Sequence, residues 1–218
     1  MKLATLAIWL AGGLALMLAL WTAASLYFVW DVEEAKYQLV EAKDGYEIRR
    51  YAPMLVAETA YDPKSDTGTE DAFRTLAAYI FGKNKQQQDI GMTAPVIMDR
   101  DKPGETISMT APVLMRKDGA QTRMAFVMPE RFTLENLPRP EDNNITIRAV
   151  PARLVAATQF SWYAPRSRRE RKADALLATL RRDGVKPAGE PVYAGYNPPF
   201  SVPFVKRHEI LVELADGS

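Results

Sequence analysis

Two stretches of this chain carry methionine at strand-like spacing, Gly91-Met92-Thr93-Ala94-Pro95-Val96-Ile97-Met98 and Ser108-Met109-Thr110-Ala111-Pro112-Val113-Leu114-Met115. The pentapeptide Met-Thr-Ala-Pro-Val occurs in both, 17 residues apart. Alternate side chains of a strand share a face. Met92, Ala94, Val96 and Met98 then line one side, and Met109, Ala111, Val113 and Met115 repeat the pattern. Methionines separated by small residues make a soft, adaptable apolar wall, suited to a flat ligand. The same pattern also fits ordinary core positions, with proline marking an edge or bulge. Farther on, Tyr193, Tyr196, Phe200 and Phe204 gather about the Asn197-Pro198-Pro199 loop. There they could stack on a planar ligand or plug the end of a barrel. Lys206 and Arg207 follow. They could grip carboxylates, Arg207 by its fork-shaped guanidinium, or solvate a strand end.

Other chemistries find less support. Cysteine is absent, which excludes disulfides, thiolate metal sites and a thiol nucleophile. Glu47 and Glu58 flank a repeated strand pair and could activate water for a small-molecule hydrolase. Their alternation with Arg and apolar neighbours suits exposed positions instead. Neither a Ser/His/Asp order nor a metal-ligand spacing is present, so no enzyme is expected. The chain holds 28 Lys+Arg and 27 Asp+Glu. Only Lys2 precedes Asp31, leaving 27 of each sign in residues 31–218. That balance disfavours a nucleic-acid binder. The basic run Arg166, Arg168, Arg169, Arg171 and Lys172 could meet phosphate or lipid headgroups, but a solvated helix face is the expectation.

The elements that must position these residues begin with an apolar segment. From Leu3 to Trp30 no residue is charged, a run long enough to cross a bilayer as a helix. Trp9, Tyr27, Phe28 and Trp30 lie near its ends, where interfacial aromatics belong. Thr22-Ala23-Ala24 is a poor cleavage site, and the apolar run continues past it, so an uncleaved anchor is expected over a signal peptide. Lys2 before the segment and Asp31, Glu33 and Glu34 after it place the N-terminus in the cytoplasm and the domain outside, in a bacterium the periplasm. The expected organisation is an anchor at 1–30 and one domain at 31–218.

That domain duplicates itself. Residues 47–59 align without gaps to residues 146–158 at an offset of 99, with six of thirteen identical. Each copy reads as two strands broken at a proline. A helix follows each, with capping boxes expected at Thr67-x-x-Glu70 and Ser167-x-x-Glu170. The apolar stripes are Phe73, Leu76, Ala77 and Ile80, then Ala173, Leu176, Leu177 and Leu180. Gly82 and Gly184 are the expected stops. Strands are expected at 38–41 and 46–51 across an Asp44-Gly45 turn, then at 90–98, 106–116, 123–128, 192–196 and 207–214. The halves are about 37–136 and 137–214, with residues 137–144 linking them. The expected fold is α+β, a pseudo-symmetric sheet or distorted barrel with two flanking helices.

The paired Met-Thr-Ala-Pro-Val blocks resemble the SOUL haem-binding family. Supporting blocks are Tyr46-Glu47-Ile48-Arg49, Phe73-x-x-Leu76-x-x-Tyr79-Ile80-x-Gly82, Phe126-Val127-Met128-Pro129 and Ala194-Gly195-Tyr196-Asn197-Pro198-Pro199. The resemblance runs from about Tyr37 to Leu214. It implies a distorted barrel of two βαββ-like halves that binds haem or a related porphyrin non-covalently, as a binder or carrier. The fold it implies resembles bacterial effector-binding domains, which hold small amphipathic ligands between their halves. The groove residues it suggests are Met92, Val96, Met109, Val113, Tyr196, Phe200 and Phe204, with Lys206 and Arg207 for the propionates. Some relatives are thought to ligate iron through a histidine near the first helix. This chain has one histidine, His208, where relatives can carry Asn. His208 is thus a candidate iron ligand beside Tyr or Met ligation, or no protein ligand at all. The expected partners are a tetrapyrrole and, through residues 3–30, a membrane. An effector-binding domain, a hydrolase and an envelope scaffold gripping a protein segment stand as alternatives. Oligomeric state stays open.

Overall fold

The computed structural model describes residues 2–30, 32–85 and 104–215. Helix α1, Lys2–Trp30, contains the span Leu6–Tyr27, with a mean hydropathy of 1.9. By length and composition that span can cross a membrane. The chain then lays strand β1 (Glu33–Glu34) parallel to β6 (Thr110–Asp118). The expected hairpin forms between β2 (Tyr37–Lys43) and β3 (Tyr46–Tyr51).

The duplication is visible in the backbone. β3 and β4 (Met54–Tyr61) correspond to β9 (Thr146–Val150) and β10 (Arg153–Phe160). Each strand pairs with the non-equivalent strand of the other copy: Ile48 opposes Ala156 on β10, and Ala57 opposes Ile147 on β9. The copies therefore interlock about a pseudo-twofold axis. With β7 (Gln121–Val127), β11 (Val192–Gly195) and β12 (His208–Glu213), the sheet order among the described residues is β2-β3-β10-β12-β11-β6-β7-β4-β9. Strands β2 and β9 lie at opposite ends of this order. Among the described residues the sheet is a curled half-barrel.

Helices α2 (Gly68–Ile80) and α3 (Arg166–Arg182) cover the outer face. Leu76, Tyr79 and Ile80 of α2 pack on Ala57, Met124 and Phe126. Leu176 and Leu180 of α3 pack on Ile48, Ala156, Ile210 and Val212. Gly82 and Gly184 stop the helices with positive φ of 112° and 72°, as expected. The capping boxes do not form. Thr67 is helical and makes no side-chain cap bond. Helix α3 begins one residue before Ser167, and Glu170 accepts from Arg166 instead. The 137–144 link carries β8 (Arg139–Pro140), which pairs with β5 (Asn84–Lys85). The expected strand at 90–98 lies outside the described residues.

Candidate functional site on the inner face

Among the described residues, helices α2 and α3 pack on the outer face and none on the inner. Tyr51, Val56, Leu114, Val127, Val150, Val155, Ala194 and Leu211 come from eight different strands, yet they form one cluster. A flat sheet could not bring them together, so curvature makes this face a concave apolar floor. At one end it opens into a cavity of about 380 Å3. Ala35, Met54, Leu55, Val127, Met128, Phe132 and Val150 give it an apolar lining, and Glu33, Glu34, Lys36 and Glu130 are its charged lining. Lys36 pairs with Glu130. The proline breaks of both repeats, Ala52-Pro53 and Val150-Pro151, meet here. Volume and lining fall in the ordinary range for a small-molecule site.

Beside the cavity the floor is polar and buried. Arg49 forks onto Glu209, with Nη1 2.9 Å from Oε2 and Nη2 3.2 Å from Oε1. Tyr196 donates to the same Glu209 Oε2 at 2.6 Å. Arg49 also donates to Glu47 and lies over the Tyr37 ring. Burial opposes the Arg49 charge, but the hydrogen bonds and charge of Glu209 outweigh it and raise its pKa. Burial, then the nearby Tyr51 and Glu209, push the Tyr196 hydroxyl up. Arg207 covers the other side, 3.5 Å from the Tyr196 ring centroid, and is tied to Glu34.

Away from the cavity the inner face turns basic. Glu58 is buried beneath Arg116, Arg123 and Arg148, at 3.6, 3.6 and 3.3 Å. Those three side chains stay part-exposed. The expectation that Glu58 is exposed is corrected: β4 is an interior strand, flanked by β7 and β9, and turns Glu58 inward with Val56. Arg148 precedes Val150 on the same face, two residues or about 7 Å along the strand.

The structure scatters the sequence-suggested residues. Met92 and Val96 lie outside the described residues. Met109 precedes β6 and is exposed. Val113 packs with Met115 on the α2 side, not in the groove, since Thr110, Pro112 and Leu114 are the residues of this strand that turn inward. A register shift between Thr110 and Val113 brackets Pro112. Tyr196 faces the inner floor. Phe200 and Phe204 are exposed on the loop beside α1. Lys206 is turned in, donating to the Pro199 carbonyl at 2.6 Å, and burial pushes its ammonium pKa down.

His208 sits on the outer side, with its parity partners Ile210 and Val212 and close to Phe160. Its Nε2 lies 2.8 Å from the Trp162 carbonyl and its Nδ1 2.8 Å from the Tyr193 hydroxyl. A carbonyl cannot donate, so Nε2 carries the proton and Nδ1 accepts from Tyr193. Both nitrogens are engaged away from the cavity. His208 and these two partners are not among the residues lining the cavity. The Arg49–Glu209–Tyr196 network and the Arg116–Arg123–Arg148 cluster were missed from sequence. One signal was available: Arg49 and Arg148 are repeat equivalents, identical at the 99-residue offset.

The fold is an α+β curled half-barrel whose inner face opens into an apolar cavity. The structure resembles the crystal structure of the EcmrR C-terminal domain, with a TM-score of 0.56 and 9% identity over 82% of this chain and 98% of that one. This chain belongs to the SOUL heme-binding protein family, which it matches over residues 32–213. It is 29% identical over 158 residues to human heme-binding protein 2, covering 71% of each chain. It is 27% identical over 172 residues to heme-binding protein 1 of Xenopus laevis, covering 77% of this chain and 84% of that one.

Proposed function

We propose that this protein binds and carries haem or another tetrapyrrole non-covalently, in the inner-face cavity, while α1 tethers it to a membrane with the domain on the periplasmic side. It is a binder and not an enzyme. The observation that carries this reading is the open apolar cavity of about 380 Å3, continuous with the concave floor. Its lining fits the macrocycle's face, with Met54 and Met128 supplying polarisable contact. The acidic residues Glu33, Glu34 and Glu130 suit ligand carboxylates poorly, so those groups point the other way, toward Arg148 and its neighbours. His208 is too far round the sheet to serve the iron. Binding therefore rests on the porphyrin face and its carboxylates.

The test is a titration of the detergent-solubilised full chain with haemin and with iron-free protoporphyrin, followed by absorption. One-to-one saturable binding of both, unchanged by His208→Ala, is expected. Binding of haemin alone, lost in His208→Ala, would contradict it.

A further inference from the structure

We propose that the loops at residues 161–163 and 198–204 form a foot that beds the domain on the lipid bilayer. The proposal rests on α1 being the membrane anchor. Four large aromatics on these loops, Trp162, Tyr163, Phe200 and Phe204, are between 46% and 61% exposed. They share one site: Trp162 N–H donates to the Pro203 carbonyl, and Tyr163 lies against Lys206, whose Nζ holds Pro199. A cluster of exposed aromatics on one side of a soluble domain marks an interaction surface.

The occupant follows from α1. Trp21 Nε1 donates to the Phe200 carbonyl at 2.9 Å, and Val202 N–H donates to Ser25 Oγ at 3.0 Å. About 20 helical residues cross ~30 Å of hydrocarbon. Counted from Leu6, where the apolar span begins, the twentieth is Ser25. The loop thus meets α1 at the level where hydrocarbon gives way to headgroups. Tyr and Trp favour that level, Phe200 and Phe204 suit the edge of the acyl region, and the exposed Arg166, at the start of α3 three residues after Tyr163, suits anionic headgroups beside its partner Glu170. Trp162 adopts a positive φ of 73°, held by Arg168 donating to the Ser161 and Tyr163 carbonyls. The foot is therefore a built feature, with its aromatics turned outward. It also sets the cavity near the lipid, since Glu33 follows Trp30 by three residues.

The chain has no cysteine, so each introduced one is unique. Leu14→Cys, Gln121→Cys, Tyr163→Cys and Phe204→Cys, made in the full chain, are labelled with a nitrobenzoxadiazole probe. They are then placed in phosphatidylcholine–phosphatidylglycerol vesicles. Gln121 lies at the far turn between β6 and β7 and serves as the aqueous reference. At Tyr163 and Phe204, quenching by spin-labelled lipid and several-fold weaker quenching by iodide than at Gln121 is expected. Iodide quenching at Tyr163 and Phe204 equal to Gln121, with Leu14 still lipid-quenched, overturns the foot and leaves the anchor standing. Iodide quenching at Leu14 as well removes the anchor and the foot together.

Discussion

Arg49 and Arg148 stand at equivalent places in the two repeats, and each clamps a carboxylate buried on the inner face: Glu209 for Arg49, Glu58 for Arg148. The repeat thus carries a charge pattern as well as a backbone. Its two ends differ in use. Glu209 is closed over by Arg49 and Tyr196, whereas Glu58 neutralises one of three cations that stay part-exposed.

The Arg49–Glu209 pair makes a stability prediction. Arg49→Met leaves a carboxylate buried without its cation, and destabilisation of about 3–5 kcal/mol is expected. Arg49→Met combined with Glu209→Met should recover most of that. Denaturant unfolding of the solubilised chain measures both.

His208 predicts a pH dependence. Burial, opposed by the Trp162 carbonyl and reinforced by Lys206, Arg168 and Arg169, holds its pKa below the ordinary 6.5. Tyr193 faces its other nitrogen. The native state keeps the ring neutral, while the unfolded chain takes up a proton near pH 6.5. The contribution is full above that value and is lost as pH falls through the lower folded value. Melting temperature should decline from pH 7 toward pH 5, and the slope should flatten in His208→Phe.

In the proposed site, Arg148 and Arg123 would receive the ligand carboxylates. Arg148→Ala is expected to weaken protoporphyrin binding about tenfold, a loss of ~1.4 kcal/mol. The dimethyl ester of the same porphyrin should bind the variant and the parent equally. A merely structural role would weaken both.

Asn84 joins segments distant in sequence. Its amide donates to the Tyr79 and Glu105 carbonyls, and its carbonyl accepts from the Glu105 N–H. Asn84→Ala strands these buried groups, and a loss of about 1–3 kcal/mol is expected. A thermal melt with unchanged porphyrin stoichiometry would check it.

The fold was legible where local signals repeat. The 99-residue offset, the helix stripes and both glycine stops located β3, β4, β9, β10, α2 and α3. The strand order was not legible, because it depends on non-local pairing that no local pattern encodes. The helix starts were misread since a capping motif competes with the chain's entry path: Pro165 starts α3 and leaves Ser167 inside it. At the site, alternation held along β6 but did not tell which face turns inward: Thr110, Pro112 and Leu114 line the inner side, and Val113 and Met115 the helix side. His208 shares a face with Ile210 and Val212 because β12 runs without a break. The cavity itself is assembled from five separate segments, and only tertiary structure brings them together.

The central claim is that the inner-face cavity is the tetrapyrrole site. Met54 lines both the cavity and the adjoining floor. Met54→Trp would fill that space while leaving the foot and His208 untouched. The direct measurement is protoporphyrin titration of Met54→Trp beside the parent chain, with near-ultraviolet circular dichroism to verify folding. A folded variant that has lost saturable binding is the predicted result. A folded variant that binds with parental affinity would contradict the account.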